Sequence, residues 1–194
     1  MNRVADVIVA GTGLVLTSPI LGIAALATKL DGGGPVVYRQ TRVGKDAEDF
    51  EVLKLRSMVV GAERLGTGYA VDQGDARITR VGRILRRTSI DELPQLWNVV
   101  RGDMSVIGPR PTLRYQVEQY DEHQRRRLDV RPGLTGWAQI HGRASLPWAE
   151  RIELDVWYVD HRSPRIDLEI LLRTPLALFR GTYRGAKGGW REKT

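Results

Sequence analysis

The 194-residue chain has no cysteine, so disulfides and thiolate metal centres are excluded. Its three histidines, His123, His141 and His161, fall at no zinc-ligand spacing. A metal here would be a hard ion held by oxygen. Aromatics are scarce, with 2 Phe, 5 Trp and 6 Tyr, and none lies between Arg77 and Arg87. An RNA-binding surface would interleave aromatics with such arginines for base stacking, so that class is disfavoured. There is only one long uncharged run, and 27% of the residues are charged. A polytopic membrane protein is thereby excluded, and most of the chain must face water. No internal repeat is present.

Positive charge is present in excess. Lys and Arg number 30 against 23 Asp and Glu, for a net charge of +7. Such a balance favours polyanionic partners: nucleic acid, anionic lipid head groups or phosphorylated substrates. The length suits one compact domain with a sizeable core.

The uncharged run extends from Val7 to Thr28. As a straight helix it would measure roughly 33 Å, enough to cross a bilayer. Asp6 spoils the basic start of a signal peptide, and no clean small-x-small cleavage site follows. Two membrane readings remain beside a kinked core helix. One is a simple spanning helix. The other uses Ser18-Pro19, at the middle of the run, where proline removes a backbone hydrogen bond and kinks the helix. The freed carbonyl needs a donor in lipid, and the Ser18 hydroxyl is a candidate. Arg3 precedes the run; Lys29, Arg39, Arg42 and Lys45 follow it. Positive flanks on both sides fit two cytoplasmic ends, and hence a re-entrant helix.

Asp31-Gly-Gly-Gly34-Pro35 ends this segment. Val36–Arg39 and Phe50–Leu55 read as strands around a turn at Gly44–Asp49. Arg77, Arg80, Arg83 and Arg86 recur every three residues with Ile78, Val81 and Leu85 between them, predicting a helix with a basic stripe. Helices are also expected over Ser89–Val100, Leu113–Leu128 and Pro147–His161. A last helix, kinked at Pro175, carries Leu168, Leu171, Leu172, Leu176 and Phe179 on one face, against the core or the membrane interface. Gly102–Pro111 reads as a loop. His123-Gln-Arg-Arg-Arg127 reads as a solvated or lipid-facing run, and the tail from Gly185 to Thr194 as disordered.

The densest polar constellation is Arg86-Arg-Thr-Ser-Ile-Asp91-Glu92-Leu-Pro-Gln95. Ser89-x-x-Glu92 fits a capping box, in which Ser caps a helix and Glu reaches back to the cap amide. Asp91 would then sit in the first turn, favoured by the helix dipole. The same geometry also serves chemistry. A helix N-terminus binds phosphate, its field would keep Asp91 ionised as a nucleophile, and Glu92 could help hold Mg²⁺ against a diphosphate. Arg86, Arg87, Arg110, Arg131 and Arg143 lie in or beside loops, and their guanidinium forks match phosphate oxygens. Lys54 lies in the apolar strand Val52-Leu-Lys-Leu55, where a lysine needs a partner and can face a site.

In their order these pieces resemble the bacterial sugar transferases, the monotopic phosphoglycosyl transferases. The pieces are Ser18-Pro19; Asp31-Gly-Gly-Gly34-Pro35 with Arg39-Gln40 and Arg42-Val43-Gly44; Lys54-Leu-Arg56-Ser-Met58; and Arg86 through Asn98. Gly102-Asp-Met-Ser105, Gly108-Pro-Arg-Pro111, Arg131-Pro-Gly-Leu-Thr-Gly136 and Leu154-Asp-Val-Trp-Tyr158 complete the set. The resemblance implies an α+β, mostly helical fold with a small β element and amphipathic interfacial helices. Residues 1–30 would form a re-entrant helix broken at Ser18-Pro19, and residues 31–184 a catalytic domain on the cytoplasmic face of the bacterial inner membrane. It implies the small single-domain form of the family, without preceding transmembrane helices.

The implied reaction moves a phospho-sugar from a UDP-sugar to polyprenyl (undecaprenyl) phosphate. Asp91 would attack the β-phosphorus and expel UMP, and the acceptor would then take the phospho-sugar from Asp91. Asp91 and Glu92 would hold Mg²⁺. Lys54, Arg86, Arg110, Arg143 and Asp167 match positions that line the phosphate and nucleotide site. No nucleic acid partner is implied, and a homodimer is allowed. The chain departs from the family at His141-Gly-Arg143-Ala144, where relatives often carry Asn-Gly-Arg-Asn. The arginine is kept, but the nucleotide or sugar contacts of its neighbours differ. A non-catalytic protein that binds lipid through its basic faces is the main rival.

Overall fold

The computed structural model describes residues 2–65, 74–142 and 146–179. The expected tail at 185–194 lies outside them. The fold is α+β and mostly helical, as read from the sequence.

The uncharged run forms one helix, α1 (Arg3–Gly32), capped by Asn2, whose side chain accepts from the Ala5 amide at 2.9 Å. Only 11% of its most apolar window is buried, which rules out a core helix. Helical geometry continues across Pro19. Pro19 has no N–H for the Val15 carbonyl four residues back, and the Ser18 hydroxyl donates to that carbonyl at 2.8 Å instead. Ser18 and Pro19 thus mark a local interruption of backbone pairing inside one helix.

Both ends of α1 are fastened to the rest of the protein. At the start, Arg3 donates to the Val99 and Val100 carbonyls. Buried Asp6 accepts from the Ser105 hydroxyl at 2.9 Å and the Val106 amide at 2.8 Å. At the far end, Asp31 accepts from the Val81 amide at 2.8 Å and the Thr28 carbonyl from Arg56 at 3.3 Å. The opposite face carries exposed Val4, Ile8, Val15, Leu16, Ile23, Leu26 and Leu30. In water that face would be costly; a bilayer removes the cost.

Strands β1 (Val37–Val43) and β2 (Asp49–Leu55) form the expected antiparallel hairpin, with Val37 opposite Leu55 and Val43 opposite Asp49. Helix α2 (Arg80–Thr88) starts one turn later than the arginine stripe, because Thr79 caps it by accepting from the Gly82 amide. Arg77 therefore lies outside the helix. It is buried, pairs with Asp75 and donates to the Ala62 and Leu65 carbonyls. At Gly82 any Cβ would sit 1.9 Å from the Ser57 carbonyl oxygen, so only glycine lets α2 lie on the chain leaving β2.

Helix α3 (Gln95–Arg101) packs along α1. Its fully buried Asn98 donates to the Glu51 carbonyl at 2.7 Å and to Asp103 at 3.0 Å, and accepts from the Leu53 amide at 3.0 Å. One side chain thus binds α3 to the outer edge of β2. Asn98→Ala strands two part-buried backbone groups and is expected to cost about 1–3 kcal/mol. The denaturation midpoint of the detergent-solubilised protein measures this; a loss below about 1 kcal/mol would show that water replaces the amide.

Two three-residue strands were not legible. β3 (Ser105–Ile107), inside the expected loop, pairs in parallel with β4 (Gly133–Thr135). The expected helix at Leu113–Leu128 is two short ones, α4 (Arg114–Val117) and α5 (Glu122–Arg125), because Asp121 caps a new start by accepting from the Gln124 amide at 2.8 Å. The His123–Arg127 run is exposed at His123, Arg125 and Arg126, as a solvated run would be, and buried only at Arg127. His123 meets Glu153, Arg126 meets Asp160, and Arg127 is buried against Asp155. Helices α6 (Trp137–Ile140), α7 (Trp148–His161) and α8 (Pro164–Phe179) complete the domain. Ile170 of α8 is fully buried, whereas Leu168, Leu172 and Leu176 point outward.

Candidate active site

The expected capping box does not form. Ser89 takes a left-handed conformation (φ 58°), ends α2 and makes no side-chain cap. A short 3₁₀ turn, Ile90–Glu92, follows before α3 begins. Asp91 and Glu92 therefore leave the chain between two helices, and both face a cavity of about 530 Å³. That volume is within the range of small-molecule sites.

The two acids are held differently. Glu92 accepts from Lys54 Nζ at 2.9 Å and Arg110 Nη2 at 2.5 Å through Oε1, and from Arg110 Nη1 at 3.3 Å through Oε2. Burial disfavours its charge, but Arg110 and Lys54 outweigh burial and hold the carboxyl well below the usual range. Glu92 in turn raises Arg110. Burial pulls Lys54 down, with Glu92 opposing.

Asp91 is 6% exposed and accepts no hydrogen bond among the described residues. Burial and then the Glu92 charge raise its pKa, against Lys54, Arg86 and Arg110. Asp91 does not sit in the first turn of a helix as expected: it precedes α3 and is buried beside another anion. Asp91 is a carboxylate whose charge is not neutralised at short range, in a cavity of cations. That sets Asp91 apart from a structural ion pair and makes it the candidate reactive group of the cavity.

Of the expected residues, Lys54, Arg86, Asp91, Glu92 and Arg110 line the one cavity. Arg143 lies outside the described residues. Asp167 is not at the cavity: it opens α8, where it accepts from the Tyr158 hydroxyl at 2.8 Å. Arg131 donates to the Gly102 carbonyl and braces a turn. Sequence reading did not assign Tyr38, Gln40, Arg42, Arg56 and Arg151 to the cavity wall. Tyr38, Gln40 and Arg42 alternate along β1, so their period of two could have placed them with Lys54 of β2, which is opposite Tyr38. Arg42 is held by Gln40 Oε1 at 2.7 Å. Burial and neighbouring Arg110 both disfavour the Arg42 charge, so an anion in the cavity would relieve them.

Two carboxylates beside a cationic cavity can take one hard divalent ion if phosphate oxygens complete its shell. Asp91 has both oxygens available; Glu92 would share its own with Lys54 and Arg110. The donor set therefore fits Mg²⁺ bound together with a phosphorylated substrate.

The family model for bacterial sugar transferases matches residues 1–181. The chain is 46% identical over 186 residues to UDP-glucose:undecaprenyl-phosphate glucose-1-phosphate transferase of Caulobacter vibrioides, covering 92% of this chain and 69% of that protein. It is 43% identical to the uncharacterized sugar transferase EpsL of Bacillus subtilis (90% and 85% covered). It is 41% identical to UDP-N-acetylgalactosamine-undecaprenyl-phosphate N-acetylgalactosaminephosphotransferase of Aeromonas hydrophila, covering 93% of this chain but only 44% of that protein. The chain is an enzyme of the transferase class and belongs to the bacterial sugar transferase family.

Proposed function

We propose that the protein transfers a sugar 1-phosphate from a UDP-sugar to a polyprenyl phosphate in two displacements through Asp91. The observation that carries this is the buried, unpartnered Asp91 carboxylate in a cavity with Lys54, Arg86 and Arg110. In the first step an Asp91 oxygen forms a bond to the β-phosphorus. The bond from that phosphorus to the bridging oxygen breaks, and UMP leaves with the electron pair. In the second step an oxygen of polyprenyl phosphate attacks the same phosphorus and displaces Asp91, giving polyprenyl-diphosphate-sugar. The relatives named above that use UDP-sugars and undecaprenyl phosphate support this substrate pair.

The residues have separable tasks. Arg86, Lys54 and Arg110 offset charge on the phosphates, which otherwise repel the attacking carboxylate. Glu92 fixes Lys54 and Arg110 so that their donors are aimed before substrate arrives. Mg²⁺ held by Asp91 and Glu92 would supply further neutralisation of the diphosphate. Chelation with EDTA is expected to lower UMP release at least about 100-fold, with recovery on adding Mg²⁺. Undiminished release in EDTA would remove the metal from the scheme.

The location proposed here rests on α1. Arg3 and Asp6 at one end and Thr28 and Asp31 at the other bind the same domain, which supports a re-entrant helix with both flanks on the cytoplasmic side. A cysteine at Asn2, in a chain with none of its own, is labelled only from the cytoplasmic side on this reading. The reaction itself is tested by incubating the detergent-solubilised enzyme with Mg²⁺, polyprenyl phosphate and a panel of UDP-sugars. UMP is expected; release of UDP would overturn phospho-sugar transfer.

A further inference from the structure

Arg56 follows β2, two residues after Lys54, and also lines the cavity. It is 6% exposed, and among the described residues only Nη2 finds an acceptor, the Thr28 carbonyl at 3.3 Å. Nε and Nη1 are buried with no hydrogen-bond partner among the described residues. Asp31 is an acid whose field reaches Arg56, but it accepts from the Val81 amide and makes no hydrogen bond or ion pair with Arg56. A buried guanidinium with two idle donors beside a cavity has the properties of an anion site awaiting its anion.

The surroundings restrict the anion. Arg56 is at the end of the cavity that touches α1: a Cβ on Gly34 would lie 3.0 Å from Arg56 Nη1 and 2.8 Å from Val60. The wall there is Pro35, Met58, Val59 and Val60, and Val60 is 61% exposed. Leu26 and Leu30, in the last two turns of α1 ahead of Gly34 and Pro35, are exposed as well. A free phosphate or a nucleotide has no use for such an apolar wall. A phosphate ester with an apolar tail fits both halves, the head on Arg56 and the tail leading to lipid.

We infer that Arg56 binds the phosphate of the polyprenyl phosphate acceptor, with the first isoprene units on Pro35, Val59 and Val60. This rests on the reaction proposed above, whose donor diphosphate is left to Lys54, Arg86 and Arg110. Two anionic substrates thus have two cationic stations in one cavity, the acceptor's on the membrane side.

The two half-reactions separate the possibilities. UDP-sugar without acceptor gives a burst of one UMP per active enzyme; adding acceptor gives turnover. Arg56→Gln is expected to keep the burst amplitude while raising the KM for polyprenyl phosphate about 10- to 100-fold, and Arg56→Lys to restore part of the loss. Val60→Glu is expected to raise the KM for undecaprenyl phosphate much more than for short-chain geranyl phosphate. An unchanged acceptor KM in Arg56→Gln, with the burst intact, overturns the inference alone. Loss of burst and turnover together assigns Arg56 to the donor and also overturns it. Absence of any burst in the unaltered enzyme defeats the two-step reaction itself.

Discussion

Asp91→Asn will release UMP at least about 1000-fold more slowly than the unaltered enzyme, yet will melt at the same temperature or higher. The two halves of this result belong together. The carboxamide has the shape of the carboxylate but no anionic oxygen to attack phosphorus. The side chain bonds to nothing among the described residues, so little of the fold depends on it. Burial and the neighbouring Glu92 already oppose its charge, and removing that charge relieves the native state. Intact-mass analysis after an acid quench should show a phospho-sugar adduct on the unaltered enzyme and none on the variant. An Asp91→Asn enzyme with near-normal UMP release would sink the covalent mechanism. One that is inactive but melts much lower would make Asp91 structural instead.

The second large effect is expected beneath the cavity, at Arg127. Its guanidinium and the Asp155 carboxylate are each 3% exposed and 2.5 Å apart. Arg127 also donates to the Tyr120 hydroxyl at 2.6 Å and to the Arg110 carbonyl at 3.0 Å, so it steadies the loop that carries Arg110. Arg127→Leu leaves Asp155 buried with its charge uncompensated and is expected to cost about 3–5 kcal/mol. The pH dependence fixes the cause. Burial, only partly offset by Arg127, raises Asp155 to about 6, above its unfolded value. A raised carboxyl contributes stability that is present below its unfolded pKa and lost as pH rises through the folded one. Without Arg127 that loss deepens, so the variant should fall further behind at pH 8 than at pH 5. Arg127→Leu with Asp155→Leu should recover most of the difference, because a packed apolar pair replaces the buried charges. A deficit independent of pH would mean that lost packing against Tyr120 and Trp148, not a stranded carboxylate, is responsible.

The residues of the candidate site were legible, but the reason they cluster was not. Lys54, Asp91, Glu92 and Arg110 were named from residue type and order, and they do meet. Read locally, however, Ser89 and Glu92 made a capping box. Glu92 instead pairs with residues 38 and 18 positions away, and no local rule sees either. Arg56 and Arg42 stand in motifs that carry no local sign of a role, since a guanidinium's idle donors or unrelieved burial show only in three dimensions. Asp167 matched by position alone, and its bond to Tyr158 places it elsewhere.

The elements divide in the same way. The α1 run and the β1–β2 hairpin carry dense local signals, namely an unbroken apolar stretch and a turn between two short runs. β3 and β4 have three residues each and exist because Gly133 and Gly108 allow contact: a Cβ on Gly133 would lie 2.0 Å from the Gly108 amide nitrogen. Such contact leaves no periodicity in the sequence. The break between α4 and α5 was readable after all, in Asp121 and Gln124, but was masked by the polar helix pattern on either side.

The fastening of α1 also sets an order of events during synthesis. Its trailing end meets Arg56 and Val81, 28 and 50 residues further along. Its leading end meets Ser105 and Val106, 99 and 100 residues further along. A chain growing from its N-terminus has therefore made the whole helix, and can dock the trailing half, well before partners for Arg3 and Asp6 exist. Through that interval the leading half lacks its contacts with Val99, Val100, Ser105 and Val106. The Asp6–Ser105 contact closes late, and the helix is then fastened to the domain at both ends.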